Sequence, residues 1–323
     1  AVIYGSNSEV IQLLIESDKC DINAKDKLGF TALHYACQLG KINLIETFIS
    51  HSNSVDVNAQ DNEGSTPLHI LAKLEQFDSK MNEILLNSNC DPNIKDNEGN
   101  TPIHIACINE NNLFVSSLIE FCQVEIDINA INKKYQTPLF IVCMNNLLII
   151  FETLFNSKLI EKIDINLTSP IFIAAFNENF FLFQKLFRME GIDVNCNRIK
   201  NDEIKKEYDF DGLNLMHVIS SFDEPELLLE LIESGQFDVN ELTDSGVTNN
   251  LNGTPLIIAL KNNRIENFNL LVNHYGQKLN LDLADGKWKK VIHYCNNRLG
   301  LQRENVLKKL QEIDENIDAD LSD

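Results

Sequence analysis

A chain of 323 residues in which 44% are hydrophobic carries ample apolar material for a continuous core. Its formal charge of −21 offers no basic stripe to phosphates and is repelled by anionic lipid, which excludes nucleic acid and acidic membrane surfaces as partners. A basic protein partner, or plain solubility, fits that sign better.

The first residues already point to a period. Ala1–Gly5 lines up with Ala36–Gly40, 35 residues later, so the chain is expected to begin inside a structural unit (residues 1–27) and to be a piece of a longer protein. Asp21-Ile22-Asn23 leads to Thr31-Ala32-Leu33-His34; Asp56-Val57-Asn58 leads to Thr66-Pro67-Leu68-His69; Asp91-Pro92-Asn93 leads to Thr101-Pro102-Ile103-His104. Thr at an N-cap predicts a helix start at each site because its hydroxyl serves an orphan amide, and at the last two Pro at the first helical position lacks the donor that would be orphaned. A second helix comes next, read from Ile42, Leu44, Ile45, Phe48 and Ile49 at i, i+3, i+4 and i+7 spacing. The turn Asp61-Asn62-Glu63-Gly64 is a hairpin-type signal, and Asn89, Gly191 and Gly235 stop later helices. One such unit cannot bury its apolar face; stacked units can.

These residues resemble the ankyrin repeat family, whose unit joins a TPLH-type tetrapeptide to a DVN-like tripeptide, and the resemblance runs over essentially the whole chain. It implies an all-α solenoid of helix-turn-helix units with β-hairpin fingers, about eight repeats after the partial first one, in a single domain. Helix-one starts fall at Thr31, Thr66, Thr101, Thr137, Ser169, Asn214, Thr254 and Lys290. Residues 28–166 are regular and 167–299 divergent; 300–313, with Val306, Leu307, Leu310 and Ile313, is expected to cap the stack, and 314–323 is an acidic tail. The finger is nearly absent between Asn166 and Ser169, and insertions stand at 196–211 and 241–253. Those departures read either as a binding notch or as drift in loops that tolerate insertion cheaply.

Cysteine usage obeys the repeat. Cys37, Cys107 and Cys143 share one site and Cys20 and Cys90 another, where ankyrin repeats usually carry Ala, so they read as small buried fillers. No CxxC-type ligand spacing appears, and reduced thiols in a cytoplasmic protein are expected. Residues 138–155 are strongly apolar, but Asn145, Asn146 and Glu152 interrupt them, which argues against a membrane span. His34, His69, His104, His217 and His293 recur at the fourth tetrapeptide position; the resemblance implies a structural role rather than a metal or acid–base one. Phosphate-binding glycine loops, HExxH and GxSxG are missing from the sequence, so no catalysis, cofactor or metal is expected.

What remains is binding. The resemblance places partners on the concave face of finger tips and inner helices, which here offers Lys27, Leu28, Phe30, Gln38, Leu39, Asn62, Glu63, Lys73, Asn97, Glu98, Ile108, Asn109, Lys133, Lys134, Tyr135 and Met144. Leu113, Ile149 and Phe181, with Leu147 nearby, fall at an outer-helix site that is polar at Asn43; they make either a second, apolar surface or an irregularly buried one. The functional expectation is a non-enzymatic scaffold or adaptor for a protein partner. The alternative is a targeting or regulatory module of a larger multidomain protein, such as a ubiquitin-ligase adaptor, kinase, GTPase regulator or trafficking factor, whose other domains would be further partners.

Overall fold

The computed structural model describes residues 9, 12–13, 21–50, 55–74, 79–194, 212–243, 251–285, 289–295 and 302–314. Most of the expected partial first unit, the insertion at 196–211 and the acidic tail after Asp314 lie outside them. The chain divides into two compact units, Ala1–Pro170 and Ile171–Asp323.

Helices in the first unit come in pairs: α1 (Ala32–Gln38) with α2 (Ile42–Ser50), α3 (Pro67–Lys73) with α4 (Ser79–Leu86), α5 (Pro102–Ile108) with α6 (Asn112–Phe121), and α7 (Pro138–Met144) with α8 (Leu148–Phe155). Inner helices α1, α3, α5 and α7 pack in series, and so do outer helices α2, α4, α6 and α8. Large aromatic residues fill the space within the pairs, with Phe48, Phe114 and Phe140 at 0% exposure. The small residues Ala36, Cys37, Ala106 and Cys107 let the helices approach closely. Six described cysteines are buried and form no disulfide, and burial pushes the Cys90 and Cys107 thiols up to about 12.

Histidine and asparagine tie one repeat to the next. Nδ1 of His34 accepts the Thr31 amide at 3.2 Å while Nε2 donates to the carbonyl of Ser65 at 3.0 Å. His69 does the same between Thr66 and Asn100, and His104 between Thr101 and Gln136. Only the neutral ring satisfies both partners, and burial lowers all three pKa values, that of His104 to about 4. The closing Asn forms a second ladder. Asn93 Oδ1 accepts the Asp127 amide at 2.8 Å and its Nδ2 donates to the Glu125 carbonyl at 2.7 Å; Asn58 and Asn129 repeat the pattern.

The fingers differ from expectation in one respect. No strand ladder forms among the described residues of any finger; those at Asp26, Asp61, Asp96 and Asn132 are each closed by a backbone bond across the turn, as from the Asp61 amide to the Ser65 carbonyl at 2.9 Å, and by an acidic or amide side chain. Asp61 Oδ1 accepts the amides of Glu63 and Ser65 at 2.9 and 2.7 Å, and Asp26, Asp96 and Asn132 act likewise. The side-chain acceptor at the turn's base adds to that backbone bond where longer strands would provide further pairing.

In the second unit the described pairs are α9 (Pro170–Phe176) with α10 (Phe180–Phe187), α11 (Leu215–Ser220) with α12 (Pro225–Ser234), and α13 (Pro255–Lys261) with α14 (Ile265–Tyr275). A 3-10 turn at Val291–Tyr294 packs on α13, and α15 (Arg303–Ile313) lays Val306 and Leu310 into the core while Lys309 bonds Asn269 of α14 at 2.8 Å. His217 and Asn240 keep the two ladders here: His217 joins Asn214 to the Glu241 carbonyl, and Asn240 accepts the Asn280 amide. The insertion at 241–253 is pinched at its neck, where Gly253 N–H donates to Thr243 Oγ1 at 2.9 Å. No helix among the described residues is long and apolar enough to cross a membrane.

Candidate protein-interaction surface

The finger row of the first unit is built from the turn outward. Gly29, Gly64 and Gly99 hold φ near +80°, a region that favours glycine. A Cβ on Gly64 would also stand 2.8 Å from the Asn97 amide nitrogen of the next finger. That close approach is productive: Asn62 N–H donates to the Leu28 carbonyl at 3.0 Å, Asn97 N–H to Glu63 at 2.9 Å, and Lys133 N–H to Glu98 at 2.9 Å. Asn62 and Asn97 add side-chain bonds to the carbonyls of Lys27 and Asn62 at 2.8 and 2.9 Å. Adjacent tips are thus tied by backbone bonds, which fix the displayed side chains before any partner arrives.

Displayed outward along that row are Lys27, Leu28, Glu63, Glu98, Lys133 and Lys134, all exposed, with Leu28 61% accessible. Gln38, Leu39, Lys73 and Ile108 are exposed at the ends of the inner helices, and Asn109 and Met144 are half-buried. Asn109 bonds the Ile105 carbonyl and Met144 Sδ lies 3.9 Å from the Gln136 amide. Asn62 and Asn97 are exposed as well, while their side-chain amides also serve the bonds between tips. Phe30 is turned into its own repeat, stacked on His34 and edge-on to Tyr35 at 5.2 Å each. Tyr35 in turn donates to Asp26 at 2.6 Å and holds that carboxyl below its usual range.

Tyr135 is explained by the shortened link downstream of it. It takes the left-handed turn position at φ 56° where the earlier fingers place glycine, and Tyr135 N–H still closes the turn on Asn132 O at 3.0 Å. Asn166 passes through the left-handed Thr168 and Ser169 straight into α9, so the next repeat has no full finger to meet a Cβ at 135. The glycine is lost where the close approach is lost.

On the outer helices, Leu113 and Ile149 are exposed at 42% and 69%, joined by Leu148 at 37%. Phe181, in the second unit, is 53% exposed with the Lys185 ammonium 5.4 Å from its ring. Leu147 corrects the sequence reading: it is 8% exposed, because it fills the N-cap position of α8, a site equally buried at Asn111 and Asn179.

Two arrangements were not anticipated from the sequence. Asn111 Nδ2 lies 3.3, 3.2 and 2.8 Å from the carbonyls of Leu71, Ala72 and Leu74, closing the end of α3, and Asn267 serves Phe222 and the end of α11 in the same way. Their signal is an Asn at the start of each outer helix. Lys261 and Asp285 form a buried ion pair at 2.7 Å that also engages the Tyr294 hydroxyl.

Among the described residues no cluster of three or more His, Cys, Asp or Glu could hold a metal ion. The ring nitrogens of His34, His69, His104 and His217 are spent on backbone groups. The family model for ankyrin repeats matches the chain in three copies, over residues 1–96, 75–169 and 171–282. No curated protein matches it. Ankyrin repeats generally mediate protein–protein interaction and are typically non-enzymatic. With its helix pairs, histidine and asparagine ladders and a family model that spans most of the sequence, the chain belongs to the ankyrin repeat family.

Proposed function

We propose that this chain is a non-enzymatic interaction scaffold that takes a protein partner on the finger and inner-helix face of its first unit. Lys27, Leu28, Gln38, Leu39, Glu63, Lys73, Glu98, Ile108, Lys133 and Lys134 make the contacts. The observation that carries this reading is the hydrogen-bonded row of finger tips, which presents these side chains with little ordering cost on binding. Leu28 and Ile108 are the apolar anchors, at 61% and 47% exposure. The local charge is mixed: four lysines stand against two glutamates, so the chain's overall acidity does not fix the sign of the partner at this face. The helix starts support a count of eight repeats after a partial one, and the buried thiols of the described residues, which form no disulfide, fit a reducing cytoplasm.

Affinity capture from lysate with the whole chain, beside a Leu28→Asp, Lys73→Ala and Ile108→Asp variant, tests the reading. Proteins captured by the parent and lost by a variant of unchanged thermal midpoint support it. An identical set of captured proteins overturns it.

A further inference from the structure

The burial pattern sets the outer helices in register. Leu44 and Ile45, Met81 and Asn82, Phe114 and Val115, and Ile150 and Phe151 are the first buried pairs of α2, α4, α6 and α8. The residue before each pair is therefore one repeating surface site, occupied in the first unit by Asn43, Lys80, Leu113 and Ile149. The same register in the second unit gives Phe181, Glu226 and Glu266. Polar residues hold the site at the start of the first unit and aliphatic ones at its end, where Leu148 adds a third.

Leu113, Leu148 and Ile149 lie on adjacent helices, since Thr153 Oγ1 of α8 donates to Asn112 Oδ1 of α6 at 2.8 Å. Their surroundings carry one sign. Residues 96–132 and 135–157 contain no Lys or Arg. Glu110 sits in the left-handed turn before α6, while Glu120 and Glu152 come after the apolar residues along α6 and α8. Lys80, at the same site on α4, is drawn the other way by Glu46 of α2 at 3.2 Å.

We propose that this outer-helix face is a second docking site, independent of the finger face, and that its occupant is a cationic amphipathic helix of a protein partner. An apolar stripe on that helix would cover Leu113, Leu148 and Ile149, and its Lys or Arg flanks would meet Glu110, Glu120 and Glu152. A second copy of this chain is the poorer occupant. A two-fold contact would set the three glutamates against their own like, between molecules of charge −21.

The test titrates the whole chain into a fluorescent synthetic helix of roughly 18 residues, about five turns, with Leu on one face and Lys on the other. A Leu/Glu helix of the same pattern is the control. The expected result is saturable binding of the Leu/Lys helix and none of the control. Ile149→Asp and Leu113→Asp should each raise Kd about tenfold or more, Glu152→Lys about threefold, and Leu28→Asp on the finger face not at all. Ile149→Ser supplies a milder second variant should an aspartate variant lose its thermal transition. Equal affinity for the parent and the Ile149 and Leu113 variants would reduce the binding to bulk charge and overturn the proposal. So would equal binding of the Leu/Glu helix, loss of binding in Leu28→Asp alone, or a parent dimer in sedimentation that Ile149→Asp dissociates.

Discussion

The two units use the same ties with different economy. In the first, three histidine bridges, an unbroken asparagine ladder and stacked finger tips recur at almost constant spacing. Among the described residues of the second, His217 and Asn240 keep single copies of the first two. Its last turn is held by a different device, the Lys261–Asp285 pair with Tyr294, whose hydroxyl that contact and burial push well above the usual phenol range. Regularity spreads stability over many equivalent small contacts; divergence concentrates it in a few that cannot be spared.

The sharpest break in that comparison is Lys261→Met. It takes the Lys261 ammonium away from Asp285, whose side chain is fully buried, and is expected to cost about 3–5 kcal/mol in urea unfolding of the second unit. No single substitution in the asparagine ladder of the first unit should match it. Next comes Gly64→Val, which combines left-handed strain with a Cβ 2.8 Å from the Asn97 amide and should cost about 2–4 kcal/mol. Tyr135→Gly, at the same turn position but with no full finger beyond it, should change stability by less than about 1 kcal/mol. Equal penalties at 64 and 135 would refute the account of the missing finger.

His104→Leu strands the Thr101 amide, takes one of its bonds from the Gln136 carbonyl, which keeps the Asn132 amide at 3.1 Å, and should lower stability by about 2–3 kcal/mol at pH 7. It should also flatten the pH response. His104 titrates at about 4 when folded against 6.5 as its ordinary value, so the unfolded chain takes up the proton first. Its contribution is complete above about pH 7 and is lost as pH falls toward 4, at up to about 1.4 kcal/mol per pH unit. With three such histidines among the described residues of the first unit against one in the second, hydrogen exchange at pH 5 should rise more in residues 21–170 than in 212–295. A smaller loss is expected for Asn93→Ala, about 1–2 kcal/mol, since it removes two neutral bonds, both of them exposed.

Much of this was legible in the sequence because repetition multiplies a weak signal. One Thr-x-x-His is a poor predictor; three at fixed spacing locate α1, α3 and α5 and assign their histidines together. Leu113 and Ile149 were readable as surface residues from that register. Leu147 was not, because the N-cap site it fills is buried in Asn111 and Asn179 as well, and hydropathy says nothing about the backbone turn that buries it. Phe30 and Tyr135 resemble binding aromatics by type. Their roles depend on neighbours, His34 and Tyr35 in one case and an absent finger in the other. The Lys261–Asp285 pair joins residues 24 positions apart with no repeating pattern to announce it.

The shortened link between Asn166 and Ser169 has a consequence for recognition. A strictly periodic row of fingertips is translationally degenerate, so a long ligand could seat on it in several placements, each shifted by one repeat. Ending the row after Lys133 removes that symmetry, since one placement alone brings a ligand's end flush with the last tip. A defect in the repeat thereby becomes its index mark, and the register of whatever binds is set by where the repetition stops.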